Sequence, residues 1–460
     1  MFVLRVPREQ NPETEWVASV ILGERLGLRY RIEAGLESTL VLEHGQRRLE
    51  VANDFLPTFV SALDVGQAMP ASNLPCWSPR DSGLDVRLIR PSLPVLFGKP
   101  GFRLTPDGNG HLGLDVFGST FFMLTRLEET LPAPLDEHDR FPARSSVAHK
   151  QGFLDRPLID EYTEIFWAAI KKIWPGLKRS RKQFRVDPSH DVDSPSYYAF
   201  RPWRKVLRRA AGDLVKRGQF YVAAKDLFIK IRSATRLHPA DPYNTFSWIM
   251  DTSEQADLTS TFYFMSGQTN PQFDGDYDLA HPAIRQLIRE VRDRGHRVGL
   301  HPSYECYRRS DSMLTEANRL REMCIEEQFS VTGLPARMHY LRWETPTTAA
   351  KLERAGVTRD CTLTFADHAG FRCGTCHDYQ AFDPVRRRSM KIRIQPLIAM
   401  ETTVLDNRYM GHGVSADAAD QFLSLKAACR TVDGVFTLLW HNTQLTSAAQ
   451  RALYTAVIAG

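Results

Sequence analysis

Four groups able to bind a metal ion or move a proton lie between residues 187 and 193 of the stretch "RVDPSHDVDSP": Asp187, His190, Asp191 and Asp193. Residues two apart in an extended segment point the same way, so Asp191 and Asp193 can face one site. One carboxylate can then bind a metal while the other acts as a base. A turn made of Asp, Ser and Pro is the plainer use of the same letters, so partners elsewhere must decide. "GHRVGLHPSYE" (295–305) sets His301 at the end of a strand-like run, with Glu305 four residues on. If "PSYE" turns helically, the two side chains share a face. Asp193, His301 and Glu305 would then form an O/N/O ligand set with positions left open, as a catalytic divalent metal requires. "PARMHYLRW" (335–343) adds Arg337, His339 and Arg342, and "LLWHN" (438–442) sets His441 behind a buried-strand pattern.

Such residues need a scaffold that brings distant segments together. From about residue 181, strand-like runs alternate with helices: "TSTFYFM" (259–265), a helix over 281–295, "HRVGLH", and "GVFTLLW" (434–440). That alternation predicts an α/β unit with a largely parallel sheet, whose sites form at the carboxyl ends of the strands. The 281–295 helix has Pro282 in its first turn, a stripe of Ile284, Leu287, Ile288 and Val291, and Gly295 as its stop. Residues 1–180 read as a separate, smaller α/β accessory unit. Its strands include "TLVLEH" and "LDVRLI"; its helices carry Phe121, Leu124 and Leu127, then Ile159, Tyr162, Ile165, Phe166 and Ile170. It shows no catalytic constellation. A basic helical insertion near 201–236 carries seven Lys/Arg against one Asp over 201–217. It suits either a solvated helix or a contact with an anionic membrane or carrier.

Bulk properties narrow the classes. The chain has 460 residues, 43% hydrophobic and 25% charged, which suits two or three folded domains. A net charge of +5 is too mild to argue for nucleic acid. No apolar run reaches the length of a membrane span, and the first residues carry no secretory pattern, so a cytoplasmic protein is expected, with peripheral membrane contact through 201–236 at most. Seven irregularly placed cysteines fit a reducing compartment. "CGTC" (373–376) lacks the second pair of a zinc ribbon and reads as structural.

In order, "SHDVD", "HPSYE", "RMH" and "LWH" resemble the motifs of the polysaccharide deacetylases of the NodB-homology group. "RMHYLRWETPTTAAKLERAGVTRDCTL", "FADHAGFRCGTC" and the earlier "FFMLTRLEE…DEHDRFPARSS" are similar to a deacetylase-like branch associated with bacterial surface-glycan biosynthesis, over most of the chain. The resemblance implies a distorted (β/α) barrel with about seven strands for residues 181–460. It implies Asp191 as general base, Arg337 as its charge partner and His441 as general acid. It makes Asp193, His301 and Glu305 the metal ligands, Glu305 standing where the family has a second histidine. Zn²⁺ suits that set, and Mn²⁺ or Fe²⁺ fits it as well. His339 replaces the proline of an R-x-P motif. Tyr304, His339, Trp343, Arg372 and Trp440 are expected around the substrate, although packing is the plainer reading of the aromatic ones.

The expected reaction is metal-dependent hydrolysis of an N-acyl group, most simply acetyl, on a sugar nucleotide, a lipid-linked glycan or a polymer. A backbone N–H near 302–304 is expected at the oxyanion. Two readings compete: an inactive glycan-binding or scaffold protein on the same fold, with Glu305 and His339 as marks of decay, or an esterase or deformylase on a related sugar.

Overall fold

The computed structural model describes residues 1–7, 11–35, 39–62, 65–217, 220–331 and 333–459. Strands of the second half are buried without alternation. β1 (Arg185–Val192) is buried from Asp187 onward, β2 (Thr261–Phe264) throughout, and β3 (Arg297–Leu300) after its first residue. Continuous burial is the signature of a parallel sheet covered on both faces. β4 (Pro335–Ala336), β5 (Arg359–Asp360), β6 (Tyr379–Asp383), β7 (Arg388–Ile394), β8 (Ala399–Met400) and β9 (Val435–Leu439) complete a nine-stranded sheet. Its order is β6-β7-β5-β4-β3-β2-β1-β9-β8. Every neighbouring pair is parallel except β6 with β7.

The sheet does not close into the seven-stranded ring expected from the sequence. Eight strands run parallel, and the ladder is broken between β7 and β8. The chain itself crosses that gap: Gln395 N donates to Asp360 O at 2.8 Å and Ile398 N to Thr437 O at 3.2 Å. β7 and β8 are successive parts of one extended segment, so they do not pair with each other, and residues 395–398 between them bond to β5 on one side and to β9 on the other. Around the sheet, the helix Pro282–Asp293 starts as its sequence predicts, with His281 Nδ1 accepting from Ala283 N, and buries Ile284, Leu287, Ile288 and Val291.

The first unit is a mixed six-stranded sheet built from segments between Phe2 and Leu114, backed by the helices Val116–Leu124 and Leu158–Ile173. Its apolar core is continuous with that of the second unit. Buried polar contacts also cross the junction: Trp16 Nε1 donates to Gln380 O at 2.9 Å, and Arg372 forks onto both oxygens of Glu129 at 2.8 Å each. Between β1 and β2, the insertion forms two helices, α1 (Trp203–Arg217) and α2 (Phe220–Arg232), anchored by Tyr198, Val206 and Ile229. Among the described residues, no helix is long and apolar enough to cross a membrane.

Candidate active site

Strand ends deliver the chemistry. Asp191 lies in β1 and Asp193 one residue past it; His301 follows β3; Arg337 and His339 follow β4; Glu401 follows β8; His441 lies just beyond β9. All stand at carboxyl ends, where open α/β sheets form their sites. Asp193, His301 and His339 each bring one ligand atom to within 4.8 Å of the others. Asp193 Oδ1 lies 3.1 Å from His301 Nε2 and 3.8 Å from His339 Nε2.

The far side of each ring is fixed. His301 Nδ1 donates to the Arg337 carbonyl at 2.6 Å, and His339 Nδ1 lies 2.9 Å from Asp274 Oδ1. A carbonyl only accepts, so Nδ1 of His301 carries the proton and the Nε2 lone pair faces inward. Asp274 orients His339 in the same sense. Burial alone would raise the Asp274 carboxyl, but the His339 hydrogen bond and the backbone N–H groups of Asn270 and Tyr304 bring it below its ordinary value. Oriented imidazoles of this kind are how proteins present metal ligands.

Asp193 Oδ1 and His301 Nε2 are buried, and neither has a hydrogen-bond partner outside the cluster they form with each other and His339. Buried polar atoms are normally satisfied by several partners, so a carboxylate oxygen and an imidazole nitrogen left only to each other at 3.1 Å are placed to share one cation. Two imidazoles and one carboxylate are donors suited to Zn²⁺ or Fe²⁺. The residues present therefore fit a divalent cation.

Glu305 is not among them. Residues 302–307 form irregular turns and no helix, so the shared face expected for His301 and Glu305 does not exist. The Glu305 carboxylate instead lies 3.6 Å from Arg342 Nη1, and its amide donates to Thr269 Oγ1. His339, expected around the substrate, brings the third candidate ligand atom instead. The expected oxyanion donors are also committed: Ser303 N donates to Glu316 at 2.9 Å and Tyr304 N to Asp274 at 2.7 Å, and Pro302 has no N–H.

Asp191 is buried beside this cluster. Arg337 Nη1 donates to its Oδ1 at 2.9 Å, and its Oδ2 lies 3.7 Å from His301 Nε2. Arg337 is held in turn by Ser189 Oγ, by the Cys361 carbonyl and by the Tyr263 ring 4.5 Å away. Burial would lower the guanidinium pKa, but Asp191 and the surrounding groups raise it, so the positive charge is permanent. On the other side, His441 Nε2 lies 3.4 Å from Asp193 Oδ2, and its Nδ1 donates to Glu401 Oε1 at 2.6 Å. Burial opposes protonation of His441, yet Glu401 and Asp193 together lift its pKa well above the usual imidazole range. Burial likewise would raise Asp193, but His339, His301 and His441 hold it well below the usual carboxylate range.

These groups floor a cleft of about 860 Å³. Its walls include Phe273, Tyr340 and Tyr409 with Arg140, Arg201 and Arg408. Sequence reading assigned nothing to the first unit here, yet its loop places His138 and Arg140 in the wall. Arg140 Nη1 donates to the Tyr340 carbonyl and Nη2 to Tyr409 Oη, both at 3.1 Å. In "DEHDRF", four charged residues around a histidine were the available signal. Asp274 and Glu401 were missed because neither stands in a motif.

Most expected substrate contacts are packing residues. Trp440 is fully buried against Phe422 and Tyr454. Trp343 is buried with its indole N–H on Thr345 Oγ1. Arg372 is committed to Glu129 and the Thr364 carbonyl. Tyr304 is buried behind the wall, its Oη 2.9 Å from His138 Nδ1. His190 is a packed neighbour of the site: Nδ1 donates to Trp440 O, and burial pushes its pKa down to about 3.

Residues 3–175 match the model of a family described as "Family of unknown function (DUF7033)". No curated protein matches the chain. Among solved structures, it is similar to a Mycobacterium smegmatis protein described as a "putative polysaccharide deacetylase", at 15% identity over 61% of this chain and 84% of that one, with a TM-score of 0.39. It is also similar to Puue allantoinase, at 13% identity over 71% and 90% with a TM-score of 0.35. A third is the chitin deacetylase of the fungus Colletotrichum lindemuthianum, at 13% identity over 60% and 82% with a TM-score of 0.29.

Proposed function

We propose that the protein is a metal-dependent hydrolase that removes an N-acyl group, most simply acetyl, from a sugar of a surface glycan or its precursor. The observation that carries this reading is the buried pair of ligand atoms, Asp193 Oδ1 and His301 Nε2, left only to each other and flanked by Asp191 on Arg337 and by His441 on Glu401. A divalent cation held by Asp193, His301 and His339 would supply Lewis acidity and lower the pKa of a water it binds from 15.7 to ~7.

The remaining work falls to the chain. Asp191, kept in place by the permanent charge of Arg337, takes the proton of the attacking water. His441, held protonated by Glu401, donates to the leaving nitrogen, which an amide needs because an amine anion is a very poor leaving group. The rings of Phe273, Tyr340 and Tyr409 offer faces for a sugar, and Arg140, Arg201 and Arg408 offer donors to its hydroxyl or acidic substituents. The same machinery serves an ester or a formamide. The inactive-scaffold reading takes Glu305 and His339 as marks of decay; an imidazole at His339 within reach of Asp193 and His301 favours the hydrolase over it.

The test is elemental analysis of purified protein with Asp193→Ala, His301→Ala and Asp191→Asn. About one metal per chain, lost in the first two variants and kept in the third, is the expected result. Asp191→Asn should lower the release of acid from N-acyl sugars by about 10²–10⁴-fold. A metal-replete preparation without metal would sink the hydrolase reading.

A further inference from the structure

The basic hairpin α1–α2 takes no part in the mechanism above, yet its composition is the most unusual in the chain. Residues 201–232 carry ten Lys/Arg and two Asp, a net +8 against +5 for the entire chain, so the remainder is net acidic. The hairpin also exposes large apolar groups. Thirteen such side chains are exposed among the described residues, and six are here: Trp203, Leu207, Phe220, Tyr221, Phe228 and Ile231. Phe220 is 71% exposed and Tyr221 81%, at the first turn of α2.

The pattern is helical. On α2, Phe220, Ala224, Phe228 and Ile231 recur at spacings of three and four, while Ala223, Asp226 and Ile229 are buried. On α1, Trp203 and Leu207 are exposed one turn apart, and Val206 and Ala210 are buried. The hairpin already has an inner core. Tyr198 Oη donates to Asp226 Oδ1 at 2.5 Å, and Arg209 Nε lies 3.1 Å from Oδ2. The apolar outer residues are therefore surplus to its own packing. Around them Arg204, Lys205, Arg208, Lys225 and Arg232 are exposed. Apolar groups ringed by Lys and Arg on short helices are the composition of an interfacial segment lying on anionic lipid. A soluble polyanion would satisfy the charges but would give no reason to hold Phe220 and Tyr221 in water.

Position gives the pattern a use. Lys230 Nζ donates to the carbonyls of Ala199 and Arg201 at 2.8 Å each. Arg201 lines the cleft, and the chain reaches it from Asp193 in eight residues. The root of the hairpin is therefore the mouth of the cleft.

We propose that α1–α2 docks on an anionic bilayer surface and so presents the cleft to a glycan anchored in that bilayer. The docking stands alone; the glycan substrate rests on the hydrolase reading above. The test is co-sedimentation of the full chain with phosphatidylcholine vesicles, with and without added phosphatidylglycerol. Binding is expected only with the anionic lipid and should weaken as salt rises. Replacing Arg204, Lys205 and Arg208 together by Gln should weaken it about 100-fold. Phe220→Ser with Tyr221→Ser should also weaken it, with circular dichroism and metal content unchanged in both variants. Equal binding to neutral vesicles, no binding at all, or sensitivity to the basic triple but not to the aromatic pair would overturn the proposal. Metal content of the same preparations separates the two readings. Protein that binds vesicles but holds no metal keeps the docking and loses the hydrolase, and the reverse result does the opposite.

Discussion

Two groups of three side chains could each converge on one ion among the described residues, and they behave differently. Asp193, His301 and His339 stand at strand ends over a cleft; Asp160, Cys376 and His377 sit where the helix Leu158–Ile173 meets the second unit. Residue types favour the second group as much as the first. Its partners do not. Asp160 Oδ1 accepts from Thr375 Oγ1 at 2.6 Å and lies 2.9 Å from Arg25 Nη2, while Oδ2 accepts from Cys376 N at 2.9 Å. Burial would raise Asp160, but Arg25 and His377 bring its pKa down. Burial and the neighbouring Cys429 push the Cys376 thiol well up, away from thiolate. A carboxylate already neutralised by arginine and a thiol held protonated leave an incoming cation little to gain. What distinguishes a site is a set of ligand atoms left to one another: Asp193 Oδ1 and His301 Nε2 meet at 3.1 Å with no partner outside their cluster, whereas in the second group only His377 Nδ1 lacks one.

That contrast can be broken most strongly at Asp160. Asp160→Asn leaves Arg25, whose side chain is only a tenth exposed, without its counter-charge and loosens the joint between the units. Breaking a buried pair costs about 3–5 kcal/mol, so a clear fall in thermal midpoint is expected by calorimetry, with the metal-to-protein ratio unchanged. Loss of metal in a folded Asp160→Asn protein would move the metal centre to the junction.

Glu401→Gln tests the other end of the comparison with a smaller effect. His441 must be protonated to donate, so activity is lost as pH rises through its pKa. Glu401 is a principal cause of the raised value. Removing its charge lowers that pKa relative to the parent whatever else occupies the site. The alkaline limb of the kcat/KM profile should therefore shift to lower pH, with metal content kept. An unmoved limb would take the role of acid away from His441.

The strand ends carrying His301 and His441 were legible because β3 and β9, like β2, announce themselves as apolar runs; Asp191, Asp193 and Arg337 were legible only through their motifs, since β1 is a mostly polar strand and β4 is two residues long. The open ladder was not, because it depends on how residues 395–398 cross between rims. Nor were Asp274 and Glu401 readable, since each gains its role by lying beside an imidazole far away in sequence, 65 residues from His339 and 40 from His441. Trp343, Arg372 and Trp440 flank motifs but point into packing, which adjacency in sequence does not reveal. His138 and Arg140 reach the cleft from the first unit through a fold contact that no local pattern encodes.

Glu305 is the sharpest case of that limit, and it supports the smallest effect. Helical spacing would have placed it beside His301, but Pro302 follows directly and Asp274 and Glu316 capture the next two amides. The turn so formed sends Glu305 toward Arg342, and its side chain is about one quarter exposed. A partly exposed pair of this kind contributes about 0–1 kcal/mol. Glu305→Gln should therefore keep the full metal content and change kcat/KM by less than about fivefold, the rate equivalent of that energy. His339→Gln, with the same loss of one candidate ligand, should abolish metal binding. If Glu305→Gln strips the metal and His339→Gln does not, the ligand set is the one expected from sequence spacing, and the turn after His301 must rearrange around the ion.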